Sequence, residues 1–210
     1  MHILQALNWR YPVRKFSDQV LTEQQVDTLL EATRLSASSY GLQPYRILVV
    51  KSKALRGQLL DYSHGQDKVL HSSHLLIIAS KTSADQAFIQ AHVQRVALAR
   101  GVKSQELADM EAFLQHSFVD VSNRQFVEFS QQQAFVALGN LLTSAASMQI
   151  DTCAITGIDI AGFDKVLGLA EKGLSTTVIC PIGIRHRDDR RANAKKTRVS
   201  FEQMVIKVSQ

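Results

Sequence analysis

Apolar and polar positions alternate along the chain so as to mark out a run of helices with a few short strands between them. From residue 21 to about 36 a helix start is signalled in three ways. Thr22 can cap it, Gln25 completes a capping box, and Leu21 with Val26 makes the flanking hydrophobic staple. Val26, Leu29, Leu30 and Thr33 then recur at helical spacing. Residues 36–44 follow as a small-residue loop closed by Pro44, which cannot continue a helix, and this loop is a first candidate for ligand contact. Short strands are predicted over 46–51 and 75–81, with a helix over 55–62 between them. Polar helices are expected over 84–100 and 104–118. A long helix over 123–148 carries Phe126, Phe129, Phe135, Leu138, Leu141 and Leu142. A strand over 151–155, a short helix over 163–167 and a strong strand over 176–184 complete the series. This order predicts an α+β fold in which helices layer a sheet, with more helix than one monomeric layer comfortably uses.

Composition adds limits rather than detail. The 210 residues, 45% hydrophobic and 20% charged, suit one domain spanning 1–210 with its own core, and exclude a disordered or fibrous chain. The longest purely apolar run, 75–79, is far too short to cross a bilayer, and the N-terminus shows no basic stretch followed by an apolar one. A cytoplasmic protein with no membrane partner is the expectation. Cys153 and Cys180 lie among apolar and β-branched neighbours, as reduced thiols inside strands would. The net charge of +5 gathers between 185 and 198, where Arg185, Arg187, Arg190, Arg191, Lys195, Lys196 and Arg198 face only Asp188 and Asp189. A solvated loop, an anion site for a small phosphorylated ligand and a nucleic-acid surface all suit such a run. No nucleic-acid module or aromatic platform accompanies it, so no nucleic-acid partner is expected.

No nucleophile elbow, phosphate-binding loop or dinucleotide fingerprint is present. If the protein is an enzyme, its reactive atoms then belong to a bound cofactor, which the protein places and polarises. His71 and His74 form a His-x-x-His pair, but zinc needs a third protein ligand that local sequence does not supply. The pair reads instead as a helix end leading into the 75–81 strand, and no metal is expected. Three basic sets can meet an anion: Arg10 with Arg14 and Lys15, Lys68 alone, and Lys196 with Arg198.

The segment Leu7-Asn8-Trp9-Arg10-Tyr11-Pro12-Val13-Arg14-Lys15-Phe16 and the loop Ser36-Ala37-Ser38-Ser39-Tyr40-Gly41-Leu42-Gln43-Pro44-Tyr45 together resemble the nitroreductase superfamily. Gly65-Gln66-Asp67-Lys68, Gln133 to Gly139, Ile155-Thr156-Gly157, Glu171-Lys172-Gly173 and Lys196-Thr197-Arg198 extend the resemblance over nearly the whole chain. The pattern is most similar to the branch of oxygen-insensitive NAD(P)H nitroreductases and dihydropteridine reductases. That resemblance implies a central mixed, mainly antiparallel sheet flanked by helices, in an intertwined homodimer with FMN at the interface. One subunit would offer Arg10, Tyr11, Pro12, Arg14, Lys68, Ile155, Thr156, Gly157, Lys196 and Arg198. The other would offer Ala37, Ser38, Ser39, Gly41 and Gln133. It further implies ping-pong hydride transfer from NADH or NADPH to a small electron-poor acceptor such as a nitroaromatic or quinone, with no side chain acting as catalytic acid or base. A carrier or redox sensor that binds FMN without turnover is the alternative. The sequence departs from the family pattern at Pro12 and Val13, which replace small hydroxylated residues. It departs again at Arg14, which replaces lysine, and at Thr156, which replaces a glutamate.

Overall fold

Two antiparallel strands buried on both faces run through the middle of the computed structural model, which describes residues 2–208. In chain order the elements are α1 (Ile3–Trp9), α2 (Glu23–Arg34), β1 (Tyr45–Val50), α3 (Lys53–Leu60), α4 (Lys68–His71), β2 (His74–Lys81) and α5 (Gln86–Arg100). They continue with α6 (Ala108–Phe118), α7 (Asn123–Ser147), β3 (Asp151–Thr152), α8 (Ile160–Leu167), β4 (Leu174–Gly183) and α9 (Phe201–Met204). The sheet order is β1-β2-β4-β3 and every strand pair is antiparallel. The parallel component expected of a mixed sheet is confined to a single bridge between Pro12 and Thr152.

Strand periodicity sorts the core into layers. Leu76 and Ile78 of β2 pack with Val178, Cys180 and Ile182 of β4 under α2 and α7, while Leu75, Ile77 and Ile179 face Leu59 and Phe163 of α3 and α8. Helices thus cover both faces, so β2 and β4 are buried almost throughout, with apolar residues in unbroken runs over 75–79 and 178–182. The predicted box at Thr22 forms: Gln25 N–H donates to Thr22 Oγ1 at 3.2 Å, and Thr22 N–H to Gln25 Oε1 at 2.9 Å. Leu21 and Val26 are both buried in the same core. The 25-residue α7 opens on a second box, Ser122 with Gln125, and at roughly 1.5 Å per residue it spans the domain. Its inner face buries Phe126, Ala134, Leu138 and Leu141, whereas Phe135 and Val136 on its outer face are 45% and 49% exposed. α5, α6 and the start of α7 form a separate cluster around Leu42, Leu114, Phe118 and Phe126, away from the sheet.

Three helices, α1, α4 and α9, lie outside the ranges predicted from sequence, although the helix end expected at His71 is that of α4. α1 has no Ser, Thr, Asp or Asn at its start and is capped by His2, and only Ala6 on it is buried, so its pattern carries no clear stripe. α4 is a single turn without a side-chain cap. The strand expected over 151–155 is regular only at Asp151–Thr152; the N–H groups of Cys153 and Ile155 still reach the carbonyls of Pro181 (3.1 Å) and Ile179 (2.8 Å). His71 ends α4 and His74 opens β2, where its Nδ1 lies 2.9 Å from Ser73 Oγ, so the two imidazoles belong to different elements.

Between α2 and β1 the loop turns through left-handed backbone at Tyr40 (φ 57°), Gly41 (67°) and Gln43 (45°). Non-glycine residues adopt this region at a cost, and several bonds hold it here. Gln133 Oε1 on α7 accepts the Ser39 N–H (2.9 Å), Ser38 Oγ accepts the Gln43 N–H (3.1 Å), and Gln43 Nε2 donates to the Arg34 carbonyl (2.7 Å). The Tyr40 ring rests against Phe113 and Phe118 of α6 at 5.4 and 6.0 Å.

Candidate functional site

The segment between α1 and α2 is stitched along one end of the sheet. Val13 N–H donates to the Thr152 carbonyl (3.2 Å), Ser17 N–H to the Ile184 carbonyl (2.8 Å), and His186 N–H to the Lys15 carbonyl (2.9 Å). Val13 and Phe16 point into the core, which turns Pro12 and Arg14 outward. Val13 is therefore an anchor, and its apolar character follows from complete burial.

Arg185, just beyond β4, fastens this end. Its backbone N–H and Nε bond the Asp151 carboxylate at 2.8 and 2.9 Å, and Nη2 lies 2.7 Å from Asp151 Oδ1. The same guanidinium lies over Trp9 at 4.0 Å and Tyr11 at 4.6 Å, a cation–π sandwich that fixes both rings. Burial pushes the Tyr11 phenol up to about 12, with the Arg185 charge opposing and Asp189 and Asp151 adding to the rise.

Trp9, Arg10, Tyr11, Pro12 and Arg14 then form one wall of a cavity of about 370 Å³ whose other wall is Arg191, Lys195, Lys196 and Arg198. Pro12 and Arg14 also line a neighbouring cavity of about 290 Å³ with Gln66, Lys68, Cys153, Ile155, Thr156 and Gly157, and these two adjoining cavities make up the groove. Arg14 and Lys68 in turn border a third cavity, of about 480 Å³, that Asp18 and Asp67 line. Among the described residues no aspartate or glutamate lines either part of the groove itself. Arg10 Nε is buried without a hydrogen-bond partner among the described residues, and Lys68 is buried beside the Cys153 thiol. Burial raises that thiol's pKa, against the opposing charges of Lys68 and Arg14. Lys196 Nζ donates to the carbonyls of Leu7 (2.8 Å) and Arg10, closing the C-terminus of α1. Burial lowers its pKa, as do its neighbours Arg10 and Arg198. Arg198 Nη1 donates to the Thr197 carbonyl at 2.6 Å.

Ten of the sequence-predicted residues thus meet in this groove: Arg10, Tyr11, Pro12, Arg14, Lys68, Ile155, Thr156, Gly157, Lys196 and Arg198. Ala37, Ser38, Ser39, Gly41 and Gln133 do not line it. Ser38, Ser39 and Gln133 are bonded into the strained loop, while Gly41 borders a different hollow with His92 and Arg95. Sequence reasoning missed Trp9, Gln66, Cys153, Arg191 and Lys195 in the walls, and Asp151, Arg185 and Asp189 behind them. The signal for Asp189 was available: it and Asp188 are the only carboxylates in the basic run.

Residues 7–184 match the model of the nitroreductase family, and the chain belongs to that family. Among its relatives is YfkO of Bacillus subtilis, described as a candidate NAD(P)H nitroreductase, 31% identical over 215 residues that cover 97% of this chain and 96% of that protein. A Staphylococcus haemolyticus protein with the same description is 33% identical over 187 residues, covering 83% and 82% of the two chains. Among solved structures, a candidate NAD(P)H:FMN oxidoreductase from Staphylococcus epidermidis superposes with a TM-score of 0.87 at 16% identity, over 98% of this chain and 95% of that one. A candidate nitroreductase from Exiguobacterium sibiricum in complex with FMN gives 0.83 at 17% identity, over 99% and 98%. These two likenesses establish a nitroreductase fold.

Proposed function

We propose that the groove holds FMN and that the protein is an NAD(P)H-dependent oxidoreductase acting on small electron-poor acceptors. One observation carries the reading: cations far apart in sequence converge on a groove that, among the described residues, no carboxylate lines and in which Arg10 Nε is buried without a hydrogen-bond partner. A buried donor without a partner is costly, so the groove is built for an anion. A phosphate monoester joined to a flat heterocycle suits a phosphate-sized cluster continuous with a slot walled by Pro12, Ile155 and Gly157.

Arg10, Lys196 and Arg198 hold the phosphate in this reading, through charge-assisted hydrogen bonds worth about 1.5–3 kcal/mol each. Arg14 and Lys68 stand in the second part of the groove, where their fixed positive charge favours a reduced, anionic ring system. Held by these residues, FMN would supply hydride transfer between NADH or NADPH and a nitroaromatic, a quinone or a related acceptor, in two separate half-reactions. Thr156 is exposed and carries no titratable group, so the chain supplies neither charge nor an acid or base at that position.

The same reading assigns Ala37, Ser38, Ser39, Gly41 and Gln133 to the cofactor site of a second copy. Their separation from the groove supports this, as do the exposed Phe135 and Val136 on α7 and the exposed Phe201, Met204, Ile206 and Val208 beyond it. Such a set of apolar side chains suits a two-fold, self-complementary interface. Among the described residues no helix is long and apolar enough to cross a membrane.

Purified protein is expected to be yellow, to bleach with NADH or NADPH, and to recover colour with a quinone or nitroarene. Apoprotein that neither binds added FMN nor gains activity from it would refute the proposal. Bleaching without steady NAD(P)H oxidation would mark it as a flavin carrier instead.

A further inference from the structure

We infer that Asp189 is a positioning residue for the cofactor groove, a buried carboxylate that joins the arm bearing Arg10 and Arg14 to the segment bearing Lys196 and Arg198. The inference rests on the FMN reading and concerns how its site is assembled. Asp189 is only 4% exposed and lines neither part of the groove, so it does not touch what binds there. Its Oδ2 accepts the main-chain N–H groups of Arg14 (2.8 Å) and Lys15 (3.1 Å), residues 175 and 174 positions away. Its Oδ1 accepts the N–H of Arg191 at 3.0 Å, while its own N–H donates to the His186 carbonyl at 3.0 Å. One side chain therefore sets the backbone on both walls at the point where they come together.

Although burial works against the charge, the three N–H groups, with the nearby Tyr11 hydroxyl, outweigh it and hold the carboxyl below its usual range. An ionised carboxylate at this spot also has a balancing role. It offsets part of the repulsion among Arg10, Arg14, Arg191, Lys195, Lys196 and Arg198, which would otherwise push the walls apart. Because Asp189 bonds to main chain, none of the six cationic side chains is tied up in an ion pair with it, although Lys196 and Arg198 also donate to backbone carbonyls. A carboxylate placed in the groove itself would instead pair with them and compete with an anionic ligand.

Asp189→Asn tests this in the FMN-loaded protein. An amide turned either way presents an NH2 to at least one N–H now bonded to oxygen, so one wall is released while shape is kept. The variant is expected to lose FMN on dilution with an affinity about tenfold weaker. Its preference for FMN over riboflavin is expected to narrow, because the phosphate cations are no longer aligned. The bound flavin's midpoint potential is expected to become more negative, because the Arg14 backbone is loosened. A role confined to folding would lower the unfolding temperature but leave the FMN-to-riboflavin ratio and the potential at wild-type values, and that result overturns the inference. Should the variant fail to fold, amide hydrogen exchange in the wild-type holoprotein decides: slow exchange at Arg14 and Lys15 supports the clamp, and unprotected amides there overturn it. Wild-type protein that binds no FMN defeats the function proposal itself, whereas wild-type binding with an indifferent variant defeats only the role of Asp189.

Discussion

Replacing Asp151 by asparagine is expected to be among the most damaging single-atom changes available in this protein. The carboxylate is 3% exposed, accepts the backbone N–H (2.8 Å) and Nε (2.9 Å) of Arg185, and lies 2.7 Å from Nη2 in an ion pair. Asparagine removes the charge and turns one acceptor into a donor, which leaves the guanidinium over Trp9 and Tyr11 without its counter-ion. Breaking one side of a buried pair costs about 3–5 kcal/mol, and the low end, about 3 kcal/mol, applies here because the Arg185 side chain keeps 23% exposure. Against a total stability on the order of 10 kcal/mol that is a large fraction, and it corresponds to a fall in Tm of roughly 6–12 °C. Trp9, the single tryptophan of the chain, lies 4.0 Å from the Arg185 guanidinium, so urea unfolding followed by its fluorescence reads the site directly. Glu128→Gln is the control. It breaks the Arg124–Glu128 pair, whose side chains are 89% and 57% exposed, and should cost about 0.5 kcal/mol or less. A cost below about 1 kcal/mol for Asp151→Asn, or equal costs for the two variants, would refute the assignment of Arg185 and Asp151 as the clasp of this end of the sheet.

Gly162→Ala should destabilise the fold by about 1–3 kcal/mol despite alanine's better helix propensity, because the new methyl would lie 1.9 Å from Tyr62 Cδ1. Tyr62→Ala in the same chain should recover part of that loss, and strict additivity in chemical denaturation would disprove the contact. Lys196→Met should speed FMN release about tenfold while shifting urea stability by only about 1 kcal/mol; unchanged retention would leave Lys196 as a helix cap alone. Alkali should destabilise the protein, since burial lifts Cys180 from 9.0 and Tyr11 from 10.0 to about 12 each. Across that window the native state keeps protons the unfolded chain has released, so stability falls as pH rises, by about 1.4 kcal/mol per pH unit for each group. Cys180→Ala should make the fall between pH 9 and 10 shallower, leaving the share of Cys153, whose thiol burial also raises, and an unchanged slope would contradict it.

The parts of the molecule legible in sequence are those where a local rule and the fold agree. Thr22 with Gln25, the apolar spacing of α7 and the β-branched run in β4 each specify an element without help from distant residues. α1 was not legible because one buried alanine leaves no periodic signature, and of α4, a single uncapped turn, only the end at His71 was. The groove was readable only as a family pattern. Composition cannot say that Lys196 meets the Leu7 carbonyl across 189 positions, nor that Asp189 reaches Arg14 across 175. In a basic run two aspartates look like counter-charges, and only the chain's return past Arg14 turns one of them into a bracket. Val13 makes the same point in reverse, for its departure from the family pattern has its reason in the core behind it.

The loop at Tyr40 carries its bend before any other molecule arrives. Its energetic cost, on the order of 1–3 kcal/mol for a non-glycine residue held at positive φ, has already been met by Gln133, Ser38 and the rings of α6. A surface that docks there therefore finds a rigid template and loses little freedom in shaping it. Encounters should accordingly be productive at first touch, with their lifetime set by how hard the template is to leave.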